Sequence, residues 1–106
     1  MNKLLLISIS VLLMASAPAL AGDAAAGKTK SKTCAACHGP DGNSVSPEFP
    51  RIAGQHYDYL VKALTRYKAG ERKNAIMAPQ AANLSRRDIE DLAAYYSQQQ
   101  GLLTKY

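Results

Sequence analysis

The stretch Cys34-Ala35-Ala36-Cys37-His38 decides how the rest of the chain is read. On one turn of helix, residues i, i+3 and i+4 project from the same face, so both thiols and the imidazole point at one flat object. Two thiols three residues apart suit the neighbouring vinyl groups of a haem. The imidazole that follows then lies beneath the ring, within reach of the iron. This is the C-x-x-C-H pattern of covalent c-type haem attachment. A thioredoxin-like redox pair shares the C-x-x-C but expects a βαβ pattern, and the sequence shows none. A zinc site needs two more ligands at suitable spacing. His56 is the only other histidine, and no further cysteine exists.

Toward the N-terminus the composition changes abruptly. Met1-Asn2-Lys3 is a short positive region, Leu4 to Met14 is apolar apart from Ser8 and Ser10, and Ala19-Leu20-Ala21 is a small-x-small cleavage site. Residues 1–21 therefore read as a secretory signal peptide, too short and wrongly flanked for a membrane span. The mature chain is expected to run from Gly22 to Tyr106 as one domain, exported to the periplasm. Nothing after Ala21 is apolar enough to cross a bilayer. Export would ordinarily suggest a disulfide between two cysteines, but closing so short a loop constrains little of the unfolded chain. Haem attachment explains the spacing better.

A small chain with one phenylalanine and no tryptophan has little bulk for a core and needs another source of stability. A buried haem supplies it. Without Lys3, 12 basic residues face 8 acidic ones, a mild positive excess suited to steering toward acidic protein partners. The cations are scattered rather than gathered into one stripe, which argues against nucleic acid. A monomer is the default.

From Asp23 to Lys32 the sequence reads as a short helix, with Asp23 as N-cap and lysines near the C-terminal end, where they complement the helix dipole. Gly27 inside it costs about 1 kcal/mol relative to alanine and suggests close approach by another element. Residues 39–54 are rich in turn formers and read as loop. There the Pro50 carbonyl is free to accept the second ring N–H of His38, as ligating histidines require. A second helix is expected from Gln55 to Ala69, stopped by Gly70. Tyr57, Leu60, Val61, Leu64 and Tyr67 form its apolar face, and His56 at its start reads as a surface or capping residue. Glu71 to Pro79 reads as a loop that brings Met77, the one methionine of the mature chain, toward the other face of the haem. The last helix has a capping box, Ser85 with Asp88, and a possible staple, Leu84 with Ile89. Asp88, Glu90 and Asp91 suit its first turns, Ile89, Leu92, Ala93 and Tyr96 form its apolar face, and Gly101 marks its end. No strand alternation is convincing, so the fold class is all-α.

With these pieces in place, the chain resembles the class I cytochromes c. It is most similar to small bacterial monohaem proteins of the cytochrome c553/c5 type and to one half of dihaem cytochrome c4. The resemblance covers residues 22–106 and rests on Gly-Asp-Ala-Ala-Ala-Gly at 22–27, Cys-Ala-Ala-Cys-His-Gly at 34–39, Asp-Gly-Asn at 41–43 and Phe-Pro-Arg-Ile-Ala-Gly-Gln at 49–55, with Tyr67-Lys68-Ala69-Gly70, Met77 and Leu84-Ser85. It implies three main helices around one covalently bound haem c, the first and last crossing near Gly27 and Tyr95 or Tyr96. It also implies thioether attachment at Cys34 and Cys37, iron ligation by His38 and Met77, a hydrogen bond from His38 to the Pro50 carbonyl, and Ile52 packed on the haem. Arg51, Tyr59 and Arg72 are unranked candidates to hold the propionates. The function it implies is single-electron transfer between redox partner proteins such as respiratory oxidases, reductases or dehydrogenases, without substrate chemistry of its own. Two alternatives remain: a haem c subunit docked on a periplasmic dehydrogenase, and a ligand-binding or peroxidase-like protein with Met77 off the iron.

Overall fold

Asp23 begins the architecture as the sequence leads one to expect. Its carboxylate accepts from the backbone N–H groups of Ala25 and Ala26 at 2.9 and 3.3 Å, capping α1 (Ala24–Lys30). The computed structural model describes residues 22–101, and the signal peptide expected over 1–21 lies outside them. The other helices are α2 (Lys32–His38), α3 (Tyr57–Ala69), α4 (Met77–Ala82) and α5 (Arg86–Ser97). There is no strand among the described residues. The N-terminal helix is thus broken at Ser31, whose hydroxyl donates to the Lys28 carbonyl at 2.7 Å. α1 and α2 together, α3 and α5 are the three main helices that the resemblance implies; α4 is additional.

The helix expected from Gln55 starts two residues later. Gln55 instead turns its side-chain oxygen back to the N–H of His56 at 2.8 Å, and exposed His56 makes no side-chain cap. At the other end Gly70 takes the left-handed conformation (φ 77°) that glycine adopts without steric cost. Its N–H and that of Glu71 return to the carbonyls of Tyr67 and Arg66, closing α3.

The stretch read as loop from Glu71 to Pro79 is corrected at its end, where Met77, Ala78 and Pro79 open α4. Proline reads as a helix breaker, yet at the third helical position the N–H that it lacks has no intrahelical acceptor anyway. Asn74 does the capping: its side-chain oxygen accepts the N–H groups of Ile76 and Met77, each at 2.9 Å. Lys68 of α3 reaches across to the carbonyls of Ala82 and Leu84, fastening the far end of α4.

α5 is the centre of the molecule. The reciprocal capping box of Ser85 and Asp88 is present, and Ile89, Leu92, Ala93 and Tyr96 are buried as the periodicity requires. Asp91, Ala94 and Tyr95 are buried as well, because α1 packs on one side of α5 and α3 on another. The helix ends at Ser97, ahead of the expected stop at Gly101. The core gathers Leu60, Leu92, Ala93, Tyr95 and Tyr96, with Cys34, Ile52, Tyr57, Val61, Leu64 and Leu84 packed against it. α1 crosses α5 at Gly27, where an added Cβ would lie 2.0 Å from the Asp91 carbonyl oxygen and 2.8 Å from the Tyr95 Cβ. The close approach that Gly27 suggests in the sequence is thus made by α5, at the crossing near Tyr95 that the resemblance implies.

Polar groups lock the same crossing. The Asp91 carboxylate accepts the Asp23 N–H at 2.8 Å and the Lys30 ammonium at 2.6 Å, and Lys30 also pairs with Asp88 at 2.9 Å. The Ser85 backbone N–H and Lys30 hold the Asp88 carboxyl down at about 2, and Lys30 lowers that of Asp91. Both groups are more acidic folded than unfolded, so their contribution is complete above the unfolded carboxylate range near pH 4 and is lost as pH falls toward 2. Asp91→Asn should cost about 2 kcal/mol at neutral pH and flatten the fall in stability between pH 4 and 2. Denaturant titrations of the holoprotein across that range check both, and an acid limb as steep as the parent's would count against the lock.

Candidate functional site

His38 closes α2 and is buried. Its Nδ1 lies 2.8 Å from the Pro50 carbonyl oxygen, the contact expected from the sequence. With the Nδ1 proton given to that oxygen, Nε2 keeps a free lone pair, the state in which imidazole binds metal. The loop that carries Pro50 is stitched to the rest of the fold at several points. Gly42 accepts the N–H groups of Ile52 and Ala53 at 2.9 and 3.1 Å, and the Gly54 N–H donates to the Tyr96 carbonyl at 2.9 Å. The Tyr95 hydroxyl donates to the Pro40 carbonyl at 3.0 Å, and the Asn43 side chain to the Gln100 carbonyl at 2.8 Å.

Beside His38 lies a cavity, part of it open to solvent. Its wall is largely aliphatic and aromatic: Ile52, Leu60, Leu64, Leu92 and Tyr96 contribute. Cys34, His38, Pro50, Ile52 and Met77 all line it, so five of the six residues singled out from the sequence meet in one place. Cys37, the sixth, does not line it but lies half-buried on the same helix as Cys34. Met77 reaches the cavity as the first residue of α4 rather than from a loop.

Three further residues at the mouth matter. Arg51 donates through Nε to the Ser44 carbonyl at 3.0 Å. Arg72 sits 4.9 Å from the ring centroid of Tyr67 and donates to the Tyr59 hydroxyl at 3.2 Å; that bond raises its pKa further. Arg51, Tyr59 and Arg72 all line the cavity and are exposed, while no aspartate or glutamate lines it. An apolar slot with two guanidinium groups at its open edge fits a flat hydrophobic molecule ending in carboxylates. The Cys34 thiol and the His38 imidazole on its wall, with Cys37 on the same helix, supply attachment and a metal ligand, so the residues present fit an iron porphyrin.

Sequence reasoning passed over Asn74, which fixes the start of α4 and therefore Met77. An asparagine just ahead of the helical stretch was the available signal. It also treated Tyr96 as ordinary core. Tyr96 lines the cavity, its hydroxyl is buried without a hydrogen bond of good geometry, and the Cys34 thiol and the Ser31 hydroxyl are its polar neighbours. Burial pushes the ionisation of both Tyr96 and Cys34 upward.

Comparison with known proteins agrees with this geometry. The family profile for cytochrome c matches residues 24–100. Cytochrome c-554(548) of Halomonas halodenitrificans is 49% identical over 83 residues, which cover 76% of this chain and all of that protein. The crystal structure of reduced recombinant cytochrome c4 from Pseudomonas stutzeri superposes with a TM-score of 0.74 at 48% identity, covering 76% of this chain and 47% of that one. Thiosulfate dehydrogenase (TsdBA) from Marichromatium purpuratum superposes with a TM-score of 0.71 at 34% identity, covering 82% of this chain and 21% of that one. The chain spans about half the length of the curated cytochromes c4 that it matches. A profile matched across nearly all the described residues, with Cys34 and Cys37 at the attachment positions of its motif, leaves one reading: the chain belongs to the cytochrome c family, whose cofactor is covalently bound haem c.

Proposed function

We propose that the chain is a periplasmic carrier of single electrons, with residues 1–21 removed on export and Gly22 to Tyr106 holding one haem. The observation that carries the reading is the convergence of His38 and Met77 on one apolar cavity beside Cys34. When bound, the iron porphyrin supplies the one-electron couple. The chain's own residues keep that couple reversible. His38, oriented by Pro50, gives Nε2 to the metal, and Met77, placed by the Asn74 cap, gives its thioether. Ligands held in place in both oxidation states keep reorganisation small and leave dioxygen no open position, and a Met/His pair favours the reduced state. Cys34 and Cys37 tether the cofactor, Ile52 and Leu92 keep water from its face, and Arg51, Arg72 and Tyr59 hold its carboxylates. Transfer to acidic partner proteins then requires only a brief encounter at the exposed edge, since transient redox interfaces are small.

A second reading is favoured by the likeness to part of the thiosulfate dehydrogenase structure: a haem c subunit held on a periplasmic dehydrogenase. Sizing the exported protein from its native host separates the two, because a carrier elutes alone and a subunit with its partner. The test of the main reading is a redox-titrated visible spectrum of protein matured in a host that attaches haem. The expected result is one reversible one-electron transition and no carbon monoxide binding at neutral pH. Colourless protein with both thiols free would end the proposal.

A further inference from the structure

The geometry points to Tyr96 as a residue that tunes the cofactor: its hydroxyl donates a hydrogen bond to the Cys34 sulfur once that sulfur is a thioether. The inference rests on haem attachment at Cys34. Tyr95 and Tyr96 are neighbours, their ring centroids 5.0 Å apart, yet their hydroxyls have different fates. That of Tyr95 is satisfied by the Pro40 carbonyl at 3.0 Å. That of Tyr96, in a residue only 3% exposed, is left without a well-formed bond inside the cavity wall. Buried polar groups are seldom left so, and an orphan of this kind asks for a partner that arrives later.

The chemistry of attachment supplies one. Adding the Cys34 thiol across a vinyl group breaks the S–H bond, forms a C–S bond and moves the hydrogen to the other vinyl carbon, with no oxidant or reductant consumed. The resulting sulfur has no proton and can only accept. Ser31, the other polar neighbour, already donates its hydroxyl hydrogen to Lys28, so Tyr96 is the donor in either contact. Burial holds its proton on at any working pH. An O–H dipole with its positive end toward the edge of the porphyrin favours the state with one more electron, in the way that hydrogen bonding around a haem sets its potential.

The experiment is a redox titration of holoprotein carrying Tyr96→Phe, which removes one oxygen and keeps the ring. At a fixed ambient potential the ferrous-to-ferric ratio should fall about two- to threefold, the scale of one modest hydrogen bond. Ser31→Ala should leave that ratio unchanged. An unchanged ratio in Tyr96→Phe overturns the inference, and so does an equal fall in Ser31→Ala, which would assign the proton to the serine. Should Tyr96→Phe not fold, unaltered holoprotein with isotopically labelled cysteine serves instead. Exchange into D₂O should shift one of the two C–S stretching bands, and two unmoved bands would again overturn it. Absence of haem bands in the unaltered protein would defeat the functional reading, whereas haem bands with an unmoved potential would defeat only the role of Tyr96.

Discussion

Gly27→Ala should cost the holoprotein about 3 kcal/mol, a large share of what a small domain has to lose. The new methyl group would stand 2.0 Å from a backbone oxygen of α5, which no rotamer change can relieve, so α1 and α5 must move apart. Overpacking costs typically about 1–3 kcal/mol and sometimes more. Separation also pulls Lys30 and the Asp23 N–H away from the buried Asp91 carboxylate. Alanine returns about 1 kcal/mol in helix propensity, too little to offset both. Guanidinium unfolding followed by far-ultraviolet circular dichroism measures the loss; a midpoint equal to the parent's would show that the crossing tolerates a side chain.

Met77→Ala is expected to change the iron site more than the fold. Alanine at the first position of α4 keeps the N–H that Asn74 caps and removes only the proposed thioether ligand. The red-edge band of methionine-ligated ferric haem should disappear and the reduced protein should bind carbon monoxide. The potential should fall by on the order of 0.1 V, because the Met/His pair that favours ferrous iron is gone. A spectrum identical to the parent's would reject Met77 as a ligand. It would also revive the reading of a ligand-binding haem protein with an open site.

Local signals were the legible part of this chain. The Asp23 cap, the capping box of Ser85 and Asp88, the Gly70 stop and the apolar face of α3 each involve residues a few positions apart, and each is found in the structure. The C-x-x-C-H motif was legible because its chemistry fits within one helical turn. The unread features depend on context or on distance along the chain. α4 was hidden by Pro79, which looks like a breaker until its position in the first turn is known. Lys30 and Asp91 are 61 residues apart in sequence, so no pattern shows that a surface-looking aspartate is a buried partner. Gly27 by itself announced only a close approach; its partner, the last helix near Tyr95, came from the family resemblance and is found in the structure. The same limit applies to Tyr96, whose hydroxyl is unusual only once the neighbouring helices are in place.

The contact between α1 and α5 also sets an order of events during biogenesis. A chain that emerges from a ribosome or translocon N-terminus first offers α1 long before α5 exists, so the interlock at Gly27 and Asp91 cannot close until synthesis has passed Ser97.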